Sequence, residues 1–125
     1  MALILVATSA VAASGGSAPK APAAGRYRCY QPPAYTVTAW FDLEADGRYR
    51  VNGGAWARYA FEPLKSVIRW SGGDFAASRR VGIYLLPGKP GADEERVTIV
   101  LVKSPDARPG KPGWERHERC YLTMH

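Results

Sequence analysis

Tyr35-Thr36-Val37-Thr38-Ala39-Trp40-Phe41-Asp42-Leu43, followed by Glu44-Ala45-Asp46-Gly47 and then Arg48-Tyr49-Arg50-Val51-Asn52, is the stretch that decides the fold. In its first run Tyr35, Val37, Ala39, Phe41 and Leu43 fall on one face, and Thr36, Thr38, Trp40 and Asp42 on the other. That period of two predicts a half-buried strand. Asp46-Gly47 signals a hairpin, because the turns that match twisted strands need residues tolerant of positive φ. The return run alternates again, with Tyr49 and Val51 inward.

Outward from this hairpin the same grammar continues. Gly25–Gln31 reads as the first strand, Gly53-Gly54 as the next reversal, and Ala55–Phe61 as the fourth strand. Ser66–Ser71 is a fifth, with Ile68 and Trp70 on one face. Gly72-Gly73-Asp74 turns it into Phe75–Leu86, expected as a longer strand bent near Ser78. Arg96–Lys103 is apolar on both faces at its centre, as a strand covered on both sides would be. The last strand, Trp114–Met124, places Trp114, Cys120 and Leu122 together. No stretch beyond residue 25 holds a helical repeat for ten residues, and the chain contains 13 Gly and 10 Pro. The class is therefore all-β.

Eight short antiparallel strands predict a closed barrel or a two-sheet sandwich, since both protect strand edges. Cys29 and Cys120, the chain's two cysteines, sit on the first and last strands. In a barrel those strands are neighbours, which brings the pair within disulfide range. An eight-stranded barrel has room for side chains or one small ligand. Tyr27, Tyr35, Phe41, Tyr49, Tyr59, Phe61 and Trp70 are expected to fill it. Pro87–Gly91 and Pro109–Gly113 repeat the sequence Pro-Gly-Lys-Pro-Gly; as successive loops of a meander they are expected at opposite ends.

The first charge in the 125-residue chain is Lys20. Residues 1–13 resemble a signal-peptide apolar segment with an Ala10-Val11-Ala12 cleavage pattern, and 14–25 form an Ala/Pro/Gly/Ser linker to a domain at 26–125. The apolar run is shorter than the roughly 20 residues of a transmembrane helix. Export to the periplasm or the exterior follows, and an oxidising compartment suits the cysteine pair. His117 and His125 lack the spacing of a structural zinc site with those cysteines. No metal or other cofactor is expected.

Catalytic signatures are missing from the sequence: no nucleophile elbow, phosphate loop or zinc-protease motif occurs. The acidic groups Asp42/Glu44/Asp46 and Asp93/Glu94/Glu95 read as solvated strand ends. The chain is thus expected to bind rather than catalyse, with an atypical hydrolase as an alternative. Its net charge of +6 points to an anionic partner. Arg26, Arg28, Arg48, Arg50 and Arg58 fall outward, interleaved with Trp40 and Trp56. Such a face suits single-stranded nucleic acid or an anionic glycan. Export removes most nucleic acid from reach, which leaves an anionic envelope polymer or another exported protein.

Two resemblances attach to these residues. The series GRYRC (25–29), ADGRY (45–49), GGAWARY (53–59), VIRWSGG (67–73) and ERC (118–120) resembles small exported bacterial proteins of uncharacterised role. That resemblance implies compartment and fold. Tyr27-Arg28-Cys29, Gly54–Tyr59, Trp70–Ala76 and Cys120 are also similar, more loosely, to periplasmic inhibitors of c-type lysozyme, which are eight-stranded barrels. The serine and lysine expected to enter the lysozyme cleft correspond here to the Gly53–Ala55 stretch and to Gly72. The resemblance implies the architecture without those two donors.

Overall fold

The computed structural model describes residues 19–93 and 95–124, so the apolar run 1–13 and the start of the linker lie outside the described residues. Eight antiparallel strands close in sequence order: β1 Gly25–Gln31, β2 Thr36–Leu43, β3 Arg48–Val51, β4 Ala57–Glu62, β5 Val67–Trp70, β6 Val81–Leu85, β7 Thr98–Val102 and β8 Glu118–Met124. Pairing of β8 with β1 makes the molecule a barrel and not a sandwich. In that seam Cys29 is the direct partner of Cys120, and the two form a disulfide. Gly47 takes φ 95°, the conformation that the Asp46-Gly47 signal anticipated.

Aromatic rings fill the interior. Tyr27 stacks on Phe41 at 5.1 Å between centroids, while Tyr49, Trp70 and Phe75 form a second group at 4.6–5.6 Å. Such pairs contribute about 0.5–1.5 kcal/mol each beyond the area they bury. At one mouth the chain before β1 crosses over. The Ala23 N–H donates to the Tyr84 hydroxyl at 2.9 Å, and the Ala23 carbonyl accepts from Tyr27 at 2.6 Å. Burial raises both phenols above their ordinary pKa, Tyr27 the more strongly, so they stay neutral and keep this clip.

The other mouth departs from the sequence reading. Residues expected as one bent strand, Phe75–Leu86, instead begin with a helical turn, α1, at Gly73–Ala77, and β6 starts only at Val81. Five residues are too few for a 3.6 period to register. The turn drives Phe75 into the barrel end. There the Tyr49 hydroxyl accepts from the Phe75 N–H at 3.2 Å and donates to the Gly72 carbonyl.

A second departure lies in β2. Cys29 faces Ala39 but Tyr30 faces Val37, so Thr38 is an extra residue in the pairing. A bulge of this kind reverses which side chains face inward beyond it. Tyr35 and Val37, expected inside, are consequently 50% and 52% exposed. Thr38 turns instead to the Glu118 carboxylate.

Strand β7 is buried on both faces, as its composition predicts. Its outer cover is not a further strand. Trp114 belongs to a 3-10 turn at Trp114–Arg116, ahead of β8, and packs outside the barrel on Val67, Ile83, Val100 and Val102. The long connection that carries it folds back over the wall, pinned where Arg108 donates to the Lys65 carbonyl at 3.0 Å. The two Pro-Gly-Lys-Pro-Gly loops therefore meet. A Cβ on Gly91 would lie 2.7 Å from Pro109 and 2.9 Å from Trp114. No helix among the described residues is long and apolar enough to cross a membrane.

Candidate functional site: an arginine and indole face

Alternation sends every second residue of β1, β2 and β3 to the outer wall, and the strand register sets those side chains side by side. The Arg26 guanidinium lies 3.9 Å above the Trp40 ring and donates to Asp42 at 2.8 Å. Asp42 also accepts from Arg50 at 3.1 Å. Arg50 in turn sits 4.4 Å over Trp56, which Arg48 approaches at 4.6 Å. Arg48 is held by Glu44 at 2.5 Å and Asp46 at 3.1 Å. Arg58, opposite Arg48 in the register, donates to the Asp46 carbonyl at 3.1 Å. An open cleft of about 680 Å³ runs along this array, lined by Arg26, Asp42, Glu44, Asp46, Arg50 and Trp56 among others.

The structure thus connects six of the seven sequence-predicted face residues, Arg26, Trp40, Arg48, Arg50, Trp56 and Arg58, in one array. It also gives Asp42, Glu44 and Asp46 a place that solvation alone does not describe. These three carboxylates pair with Arg26, Arg48 and Arg50 and neutralise much of their charge. The hydrogen bond from Arg26 holds the Asp42 carboxyl below its ordinary range, partial burial opposing it and Arg50 assisting. Hydrogen bonding to Glu44 likewise raises the Arg48 guanidinium.

Arg28 stands apart. It is exposed and lies between Trp40 on β2 and Tyr121 on β8, and its side chain makes no hydrogen bond or ion pair with another described residue.

A pH dependence follows. The folded-state pKa of Asp42 lies below the unfolded value of about 3.9. Its contribution to stability is therefore complete above that value and is lost as pH falls through the folded pKa. Denaturant titrations from pH 7 downward should show stability declining below about pH 4. Asp42→Asn should flatten that decline and lower neutral-pH stability by about 1 kcal/mol. Identical slopes for the two proteins would contradict this assignment.

Two outer aromatics, Tyr30 and Tyr121, escaped the sequence reading. The Tyr30 and Tyr121 rings lie 5.8 Å apart, and the Arg96 guanidinium lies 4.4 Å over Tyr121 while pairing with Asp93 at 3.3 Å. The signal was available: with Cys29 and Cys120 inward, parity sends Tyr30 and Tyr121 outward. Elsewhere Glu118 and Arg80 form an ion pair at the α1 mouth, only 11% and 22% exposed at their side chains. A Cβ on Gly53 would lie 3.5 Å from the edge of the Trp40 indole. Arg69, on the strand preceding Gly72, is occupied by Glu62.

Among the described residues, no three His, Cys, Asp or Glu side chains converge as a metal site. Comparison of the chain with family models, with curated proteins and with solved structures finds no match.

Proposed function

We propose that this protein is an exported, non-catalytic binding module that holds an anionic polymer of the bacterial envelope against the outer wall of β1–β4. The observation that carries this reading is the pair of outer-wall indoles, Trp40 faced by Arg26 and Trp56 faced by Arg48 and Arg50, with Trp56, Arg26 and Arg50 lining one open cleft. Flat, partly neutralised aromatic–arginine surfaces suit a polymer that offers both ring faces and negative charge. The filled interior also supports it, because binding then falls to the surface rather than to a barrel cavity. The disulfide supports the exported part of the reading, because such bonds persist in oxidising compartments.

Retention on an immobilised acidic polysaccharide at low salt tests the reading. The protein should elute as ionic strength rises toward about 1 M, where the screening length falls to about 3 Å. Trp40→Ala with Trp56→Ala, which leaves net charge unchanged, should elute at distinctly lower salt. Equal elution of the two proteins would reduce the effect to unspecific charge. Stoichiometric inhibition of a c-type lysozyme would favour the inhibitor reading instead.

A further inference from the structure

Resting on that reading, we infer that the polymer continues past the cleft onto a platform on β2–β1–β8, where Arg28 binds the carboxylate of a uronic-acid-type sugar whose neighbouring rings lie on Trp40 and Tyr121.

The register assembles this platform. Trp40, Arg28 and Tyr121 are direct cross-strand partners on three consecutive strands, so they form one row across the wall. At the usual strand spacing of about 4.8 Å, the outer members stand about 10 Å apart at the backbone, a span suited to linked sugar rings. Tyr30 extends the row on one side through its contact with Tyr121, and Val37 lies opposite Tyr30 in the next register row. Exposure of Val37 results from the bulge at Thr38, so this apolar border exists only because the register slips there.

Charge selects the ligand. Arg26, Arg48 and Arg50 are engaged by carboxylates, and Arg96 by Asp93. Arg28 is left in the middle of an aromatic row with no counter-ion among the described residues. A planar guanidinium matches a carboxylate with two parallel hydrogen bonds. Arg26 and Arg96 each cover one face of the flanking rings, so a partner meets the remaining aromatic surface, which suits the C–H-bearing rings of a sugar. An acidic polysaccharide supplies both features, whereas a ring-free polyphosphate or polyol phosphate supplies only charge.

Titrations of the full mature chain with oligomers of a uronic acid, inorganic polyphosphate and a neutral glucan, read by tryptophan fluorescence and calorimetry, separate the possibilities. The uronate oligomers should bind more tightly than polyphosphate of equal charge, and the neutral glucan most weakly. Arg28→Gln should weaken uronate binding about tenfold and Arg28→Lys less, because lysine keeps the charge without the planar fork. The melting temperatures of both variants should match the parent, since Arg28 makes no internal polar contact. Tyr121→Leu should weaken the uronate while leaving polyphosphate binding unchanged.

Uronate affinity that is indifferent to Arg28→Gln would overturn this platform and leave the cleft reading standing. Polyphosphate binding as tightly as the uronate would overturn the ligand class. Failure of every anionic polymer to bind would overturn the platform and the proposed function together.

Discussion

Reducing the Cys29–Cys120 bridge is expected to lower the melting temperature by about 20 °C or more. The bridge joins residues 91 apart in sequence, across the seam where the first strand meets the last. Cross-linking a loop of that length restricts the unfolded chain by about 4.6 kcal/mol in the chain-entropy model. A domain of this size has only about 5–15 kcal/mol of net stability. Each kilocalorie moves the midpoint by about 4–8 °C for a domain near 100 residues. Both sulfurs are fully buried, so a reductant should act mainly through opened molecules. The measurement is thermal unfolding of the oxidised protein, the reduced protein and a Cys29→Ala/Cys120→Ala variant. A shift under about 5 °C would mean that β1–β8 pairing, and not the covalent link, maintains closure.

Phe75→Ala is the substitution with the next largest effect, about 3–5 kcal/mol of lost stability. Phe75 is 2% exposed and meets Phe41, Tyr49 and Trp70 edge-on or stacked at 4.9–5.6 Å. Truncation would leave a cavity at the barrel mouth that rigid strands cannot collapse to fill. Alanine is the better helix former, so local propensity favours the variant and only lost packing can destabilise it. Tyr49→Phe isolates the polar part. It removes the acceptor of the Phe75 N–H and the donor to the Gly72 carbonyl, and should cost about 1–3 kcal/mol. Equilibrium denaturation measures both, with near-ultraviolet dichroism reporting the environment of Trp70. A loss below about 1 kcal/mol for Phe75→Ala would show that α1 is an appendage and not a stopper.

How the face and the barrel differ in legibility is clearest residue by residue. Alternation in Tyr35–Leu43 and Arg48–Val51 and parity about Cys29 are local properties, and they sent Trp40, Arg48, Arg50, Arg26 and Arg28 outward, where the structure has them. Asp46-Gly47 specified its hairpin for the same reason, since a turn's φ demands act on neighbours in the chain. The two cysteines were informative across 91 residues only because a meander that closes has one possible seam. The ion pairs were not legible: Asp42 meets Arg26 and Arg50 through strand register, which no spacing within one segment encodes.

The sequence by itself therefore determined the strand content, the closing cysteine pair, the doubly apolar β7 and the outward placement of the arginines. Each follows from period-two side-chain geometry or from turn residues a few positions apart. The tertiary structure alone decided the bulge at Thr38, the helical stopper at Gly73–Ala77, the meeting of the two Pro-Gly-Lys-Pro-Gly loops and the partial neutralisation of the arginine face. A bulge belongs to a pair of strands, a stopper to the mouth it fills, and a salt bridge to two elements brought together by closure. Their energies arise between segments distant in the chain, so they take definite values only once the barrel has formed.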